Sequence, residues 1–131
     1  MNEDSELEKV PVGSFVAEAI PDGLDIHVRL AGTADLTVKQ QLDRVLRDVH
    51  VQMLETHGAQ VSVDVSAVEF MNSACLKAFV TWVSSVHAME EGRYQITFLF
   101  RPDVWWQRRS LRPIVAIGDG VASISPAESA V

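Results

Sequence analysis

Residues 61–83, VSVDVSAVEFMNSACLKAFVTWV, change their hydrophobic period partway along. Val61, Val63 and Val65 alternate with Ser62, Asp64 and Ser66, the two-residue beat of a strand. Leu76, Phe79, Val80, Val83 and then Val86 recur three and four residues apart, the beat of a helix. Between the two runs lie Met71, Asn72, Ser73 and Ala74, so two small hydrogen-bonding side chains stand where a strand hands over to a helix.

Working outward, the strand covers Gln60 to Val65. A short connector leads to a helix from Ser73 to about Met89, ended by Glu90, Glu91 and Gly92. Upstream, Val38, Leu42, Val45, Leu46, Val49 and Met53 predict a helix from Leu36 to about His57, with Asp35 as N-cap and Gly58 as its stop. Before it, Ser14–Ile20 and the run through Leu24, Ile26, Val28 and Leu30 alternate around Pro21-Asp22-Gly23, which predicts a hairpin. Tyr94–Phe100 (YQITFLF) reads as a further strand. Pro113 would break a helix running through from Asp103. With Ser110 as N-cap, Pro113 falls in a first turn, giving a short helix Leu111–Ile117 with Gly118 past its end. A last strand follows at Val121–Ser125. The order is ββαβαβαβ, an α/β fold. Repeated strand–helix–strand units favour parallel pairing with right-handed crossovers, hence a mixed sheet covered by helices.

The chain of 131 residues is 47% apolar and 22% charged, the proportions of a single globular domain. Residues 13–125 form that domain. Residues 1–12 read as a disordered acidic tail and residues 126–131 as a flexible C-terminal one. Cys75 is the sole cysteine and has no intrachain disulfide partner, and the acidic start MNEDSELEKV lacks the basic and apolar regions of a secretory signal. No run reaches the roughly 18 apolar residues of a membrane span. These features predict a cytoplasmic protein without membrane insertion. A net charge of −7 argues against nucleic-acid binding, in which Lys and Arg neutralise phosphates. The exception is local: Arg101, Arg108, Arg109 and Arg112 crowd together, either as solvated side chains or as a docking patch.

The Asn72–Ser73 junction has two readings. Either side chain can cap the helix, satisfying one of its first N–H groups. Alternatively, Ser73 accepts a phosphoryl group, whose charge of roughly −1.5 to −2 would lie beside those same N–H groups.

The stretch also resembles the strand, loop and helix of STAS domains of the anti-sigma-factor antagonist class. Their pattern there is Asp-Leu-Ser, a few residues, then Phe-Met-Asp-Ser-Ser-Gly-Leu, which Asp64, Ser66, Phe70, Met71, Ser73 and Leu76 match. The element order is similar over about residues 14–125. Trp105–Leu111 (WWQRRSL) followed by a short helix is similar to a bacterial branch of STAS regulators. The resemblance implies a non-enzymatic, protein-binding regulator whose phosphoacceptor is Ser73. It further implies docking through Val68, Glu69, Asn72, Ser73, Ala74 and Lys77. The implied partners are an anti-sigma factor that is also a serine kinase, and a phosphatase. Three positions depart from the pattern: Asn72 replaces Asp, Ala74 replaces Ser and Cys75 replaces Gly. Asn72 keeps the capping ability and removes a carboxylate beside the acceptor. The alternative within the same resemblance is an unphosphorylated scaffold or accessory subunit, such as one bound to a transporter ATPase.

No other chemistry competes. His27, His50, His57 and His87 form no metal-ligand spacing and are expected on the surface; no cofactor is implied. Ser73 and His87 lie at opposite ends of one predicted helix, roughly 20 Å apart, too far to share a triad with Asp64. Gly118-Asp119-Gly120 follows a helix, whereas a phosphate-cradling loop precedes one. Cys75 is expected as a buried structural thiol. Of Trp105 and Trp106, one can face inward and the other is left to solvent or a partner.

Overall fold

A computed structural model describes residues 14–127; the acidic segment predicted at residues 1–12 and most of the C-terminal tail lie outside them. The described chain runs β1 (Phe15–Asp22), β2 (Asp25–Ala34), a 3-10 turn (Leu36–Val38), α1 (Lys39–Thr56), β3 (Gln60–Met71), α2 (Ser73–His87), β4 (Gln95–Phe100), α3 (Trp105–Ile117) and β5 (Ala122–Pro126). The five strands form one sheet in the order β1-β2-β3-β4-β5. The hairpin pair β1–β2 is antiparallel and the other three pairings are parallel. The predicted ββαβαβαβ order and mixed sheet are both present.

Each crossover from β2 onward adds its strand on the same side of the last. Right-handed connections then put every helix on one face of the sheet. The burial alternates accordingly. Ile26, Val28, Leu30, Val61, Val63, Ile96 and Phe98 are buried beneath the helices. Their neighbours His27, Arg29, Ser62, Asp64 and Thr97 are half-buried on the opposite face. The helices contribute Leu42, Leu46, Val49 and Met53 from α1, Phe79, Trp82, Val83 and Val86 from α2, and Leu111 and Ile114 from α3. At about 1.5–3 kcal/mol for each large apolar side chain buried, this layer is the main source of stability. Phe98 sits at its centre, with Phe79 tilted at 5.1 Å and Trp82 edge-on at 6.4 Å between ring centroids.

Several boundaries differ from the sequence reading, each for a local reason. The connector after Val65 is strand: β3 continues to Met71, paired with the end of β2 across two register shifts. Each shift puts an extra residue into β3, so the buried positions become Val65, Val68 and Met71, and alternation disappears. Asp64 supports the first irregularity, its Oδ1 accepting from Ser66 N at 2.9 Å and from Ser66 Oγ at 2.6 Å. The last helix begins at Trp105 and carries Pro113 inside it, so Ser110 is not its cap. Pro113 deprives the Arg109 carbonyl of a helical donor. Both residues are exposed, so water can replace that donor, while buried Gln107, Leu111 and Ile114 hold the helix on either side. His57, with φ +55°, is the left-handed residue that ends α1. Gly58 follows it where a Cβ would collide with the Leu24 carbonyl and the Met53 thioether. The hairpin turns through Gly23, φ +66°, and Leu24, so of the predicted Pro21–Gly23 turn only Gly23 is in it, and β5 extends to Pro126.

Candidate functional site

The ends of β2 and β3 and the starts of α1 and α2 meet at one end of the sheet. There the Asn72 N–H donates to the Ala34 carbonyl at 2.8 Å, tying the two strand ends together. Asn72 is the N-cap of α2: its backbone is extended and its Oδ1 accepts from Cys75 N at 3.1 Å. That settles which side chain caps. Ser73 is the first helical residue, it is exposed, and its hydroxyl makes no hydrogen bond among the described residues. The N–H groups of Ser73 and Ala74 remain in the first turn without helical acceptors, at the positive end of the helix dipole. Lys77, one turn further on, is exposed on the same helix.

Beside this end, Asp35 caps the 3-10 turn, its Oδ1 accepting from Thr37 N at 3.0 Å. The turn leads into α1, whose first residue Lys39 pairs with Asp43 at 2.7 Å. Cys75 is fully buried, with its Sγ donating to the Asp35 carbonyl at 3.4 Å. Burial pushes its thiol pKa up; Lys39 opposes the shift and Asp35 and Asp43 add to it. A raised pKa keeps the group a thiol at neutral pH, and it is the thiolate that reacts. Cys75 is therefore structural, as expected.

Of the residues implied for docking, Glu69, Ser73 and Lys77 are exposed, and Asn72 and Ala74 partly so. Val68 must be corrected: it is 1% exposed, because the second irregularity in β3 turns its side chain into the core. Three large apolar side chains in this region are exposed instead. Leu36 is 65%, Phe70 51% and Trp105 77% exposed. Neither Leu36, at the start of the predicted first helix, nor Phe70, in the predicted connector after Val65, is among the residues implied for docking.

The rest of WWQRRSL holds this end in shape. Gln107 is 0% exposed, and every polar atom of its amide is used. Its Nε2 donates to the carbonyls of Val65 and Val68, both at 2.9 Å, and its Oε1 accepts from Arg101 N at 2.7 Å. These are groups that the irregular end of β3 and the end of β4 leave without ladder partners. Trp106 Nε1 donates to the Glu69 carbonyl at 2.9 Å, while Trp105 points to solvent, the inward–outward split expected of adjacent tryptophans. Arg101, Arg108, Arg109 and Arg112 are all exposed, and Arg101 pairs with Asp103 at 3.2 Å.

His57 is exposed and the other three histidines are half-buried, two of them with ring partners. His27 Nδ1 is 2.7 Å from Ser62 Oγ on the open face of the sheet, and His50 Nδ1 is 2.7 Å from Tyr94 Oη. Ser73 and His87 are the first and last residues of α2, so they cannot meet.

No family model and no curated protein matches the chain. Among solved structures, the chain is similar to an anti-sigma factor antagonist from Mycobacterium paratuberculosis, with a TM-score of 0.66 over 90% of this chain and 91% of that one. The fold is STAS-like. Sequence identity to the antagonist is 17%, so the likeness lies in architecture: a five-stranded mixed sheet with helices on one face. No helix among the described residues is long and apolar enough to cross a membrane.

Proposed function

We propose that the chain is a cytoplasmic regulator that binds another protein through the N-terminal end of α2, and that phosphorylation of Ser73 turns the binding off. The observation that carries this is the pairing of an exposed, unengaged Ser73 hydroxyl with exposed Leu36, Phe70 and Trp105 at the same end of the sheet. Interfaces draw their energy from a few large apolar or aromatic anchors, and these three supply them. Glu69, Asn72, Ala74 and Lys77 form the polar surround.

A phosphoryl group on Ser73 would find the free N–H groups of the first turn and the Lys77 ammonium within one helical turn. Asn72 adds no carboxylate to repel it. The folded state can therefore accept the modification, whereas a partner seated on Leu36 and Phe70 would meet a new dianion. The antagonist named above has the same fold, which supports an anti-sigma factor as the partner; a serine-kinase activity in that partner and a resetting phosphatase are what the sequence resemblance implies.

The test is to incubate the protein with serine kinases from its own genome and locate phosphate by mass spectrometry. Partner capture by Ser73→Glu and Ser73→Ala is measured in parallel. Phosphate on Ser73, with capture lost in Ser73→Glu and kept in Ser73→Ala, is the expected result. A complex indifferent to both substitutions would make the chain a constitutive scaffold or accessory subunit.

A further inference from the structure

α1 and α2 lie side by side, and between them runs an open groove of about 530 Å³. That volume is within the range of about 300–1,000 Å³ typical of small-ligand sites. Its apolar floor is Leu46, Ala78 and Trp82. Its walls carry Lys39, Arg47 and His50 from one helix and Lys77, Thr81 and Ser85 from the other.

The charge in this groove runs against the rest of the molecule. The chain has a net charge of −7, yet Lys39, Arg47 and Lys77 face Asp43 alone, which leaves three positive charges against one negative. Asp43 is engaged by Lys39 at 2.7 Å. Arg47 and Lys77 have no carboxylate within ion-pair distance among the described residues.

His50 adds a donor of fixed direction. Trp82 Nε1 donates to Tyr94 Oη at 2.8 Å, and Tyr94 is 1% exposed, so the phenolic hydrogen needs an acceptor. The one in reach is His50 Nδ1, at 2.7 Å. An imidazole that accepts at Nδ1 carries its proton on Nε2, at the ring edge away from Tyr94. A neutral N–H donor is thus held beside the cations, with the hydroxyls of Thr81 and Ser85 opposite.

We propose that the α1–α2 groove is a binding site for a small phosphomonoester with an apolar or aromatic body. The dianion would match the net charge of the walls, with Arg47 and Lys77 as its principal contacts and His50 Nε2–H as a third donor. The body would lie on Trp82 and Ala78. Lys77 is shared with the proposed docking end, whereas Arg47, His50 and Thr81 take no part in it, so Arg47→Ala tests the groove separately from the Ser73 switch.

The probe is phenyl phosphate, titrated into the full-length protein and followed by amide NMR shifts, with inorganic phosphate and phenol as controls. Saturable shifts should map to residues around Arg47, His50 and Thr81. Phenyl phosphate should bind at least about tenfold more tightly than either control. Arg47→Ala should weaken binding at least about fivefold, and Lys77→Ala similarly; both residues are exposed, so both variants should fold. Shifts elsewhere, equal affinity for phenol, or unaltered binding by Arg47→Ala would overturn the proposal. A second arm replaces Glu3, Asp4, Glu6 and Glu8 with Gln. If that change alone moves the groove resonances, the occupant is the chain's own acidic segment and the small-ligand assignment fails.

Discussion

Replacing Gln107 with Leu removes an amide that nothing else at that position can imitate. The side chain is 0% exposed and donates to the Val65 and Val68 carbonyls while accepting from Arg101 N. Leu matches Gln closely in volume, so cavity and overpacking costs are small and the lost hydrogen bonds dominate. Each buried polar group left without a partner costs about 1–3 kcal/mol. Three such groups give about 3–9 kcal/mol, and relaxation or water entering at Arg101, which is exposed, argues for the lower half, near 4 kcal/mol. Against a typical domain stability of about 5–15 kcal/mol, the loss is severe. In urea, with a slope of about 1–3 kcal/mol per molar, the midpoint should fall by roughly 1.3–4 M. The Trp106 and Val68 amides should lose hydrogen-exchange protection first, because α3 would loosen from β3 before the rest of the sheet opens. A loss under about 1 kcal/mol would refute the claim that this amide is what closes the irregular end of β3.

Further outcomes follow from the same structure. Asn72→Ala should cost about 1 kcal/mol by removing the cap of α2, and Asn72→Asp should recover most of it; equal stability of all three proteins in urea would count against the cap. Tyr94→Phe leaves the buried Trp82 N–H without its acceptor and should cost about 1–3 kcal/mol by thermal or urea denaturation, a null effect arguing that water replaces the hydroxyl. Burial holds the His50 imidazole below the usual histidine range, with Tyr94 at its Nδ1 and Asp43, Arg47 and Lys77 lining the same groove. The unfolded chain then binds more protons near the ordinary histidine value, so stability present above about pH 6.5 declines as pH falls toward the depressed value. His50→Gln should flatten that slope in urea titrations, and an unchanged slope would assign it to other groups. Buried Cys75 should resist a water-soluble disulfide reagent in the native state and react on unfolding; rapid native reaction would contradict its burial.

The architecture was legible because the two hydrophobic periods are clean where the sheet is regular. Val61, Val63 and Val65 alternate, α1 and α2 carry their core residues at helical spacing, and the observed elements follow. Legibility failed where tertiary partners replace local rules. The end of β3 loses its alternation because Gln107, about forty residues later in sequence, takes the carbonyls that the irregular pairing frees. Pro113 stops a helix on paper but not in the fold, since it and Arg109 are exposed, where water can satisfy the orphaned carbonyl. The Asn72–Ser73 junction could be found from sequence, because capping is a local matter. That Val68 turns inward and Phe70 outward depends on how β2 and β3 pair, and Leu36 is exposed in the 3-10 turn that follows β2. The basic groove was invisible for a simpler reason: Arg47 and Lys77 are thirty residues apart, and only the packing of α1 against α2 makes them neighbours.

The claim that the end bearing Ser73 is a docking surface can be tested by photocrosslinking in lysate of the native host. A benzophenone side chain is placed at Trp105 or Phe70, or at Leu24, which is 62% exposed at the opposite end of the sheet. The account predicts one discrete adduct from positions 105 and 70, none from position 24, and disappearance of the adduct when Ser73→Glu is added. An adduct from position 24 alone, or none from 105 and 70 in a lysate where the protein is otherwise captured in a complex, would contradict it.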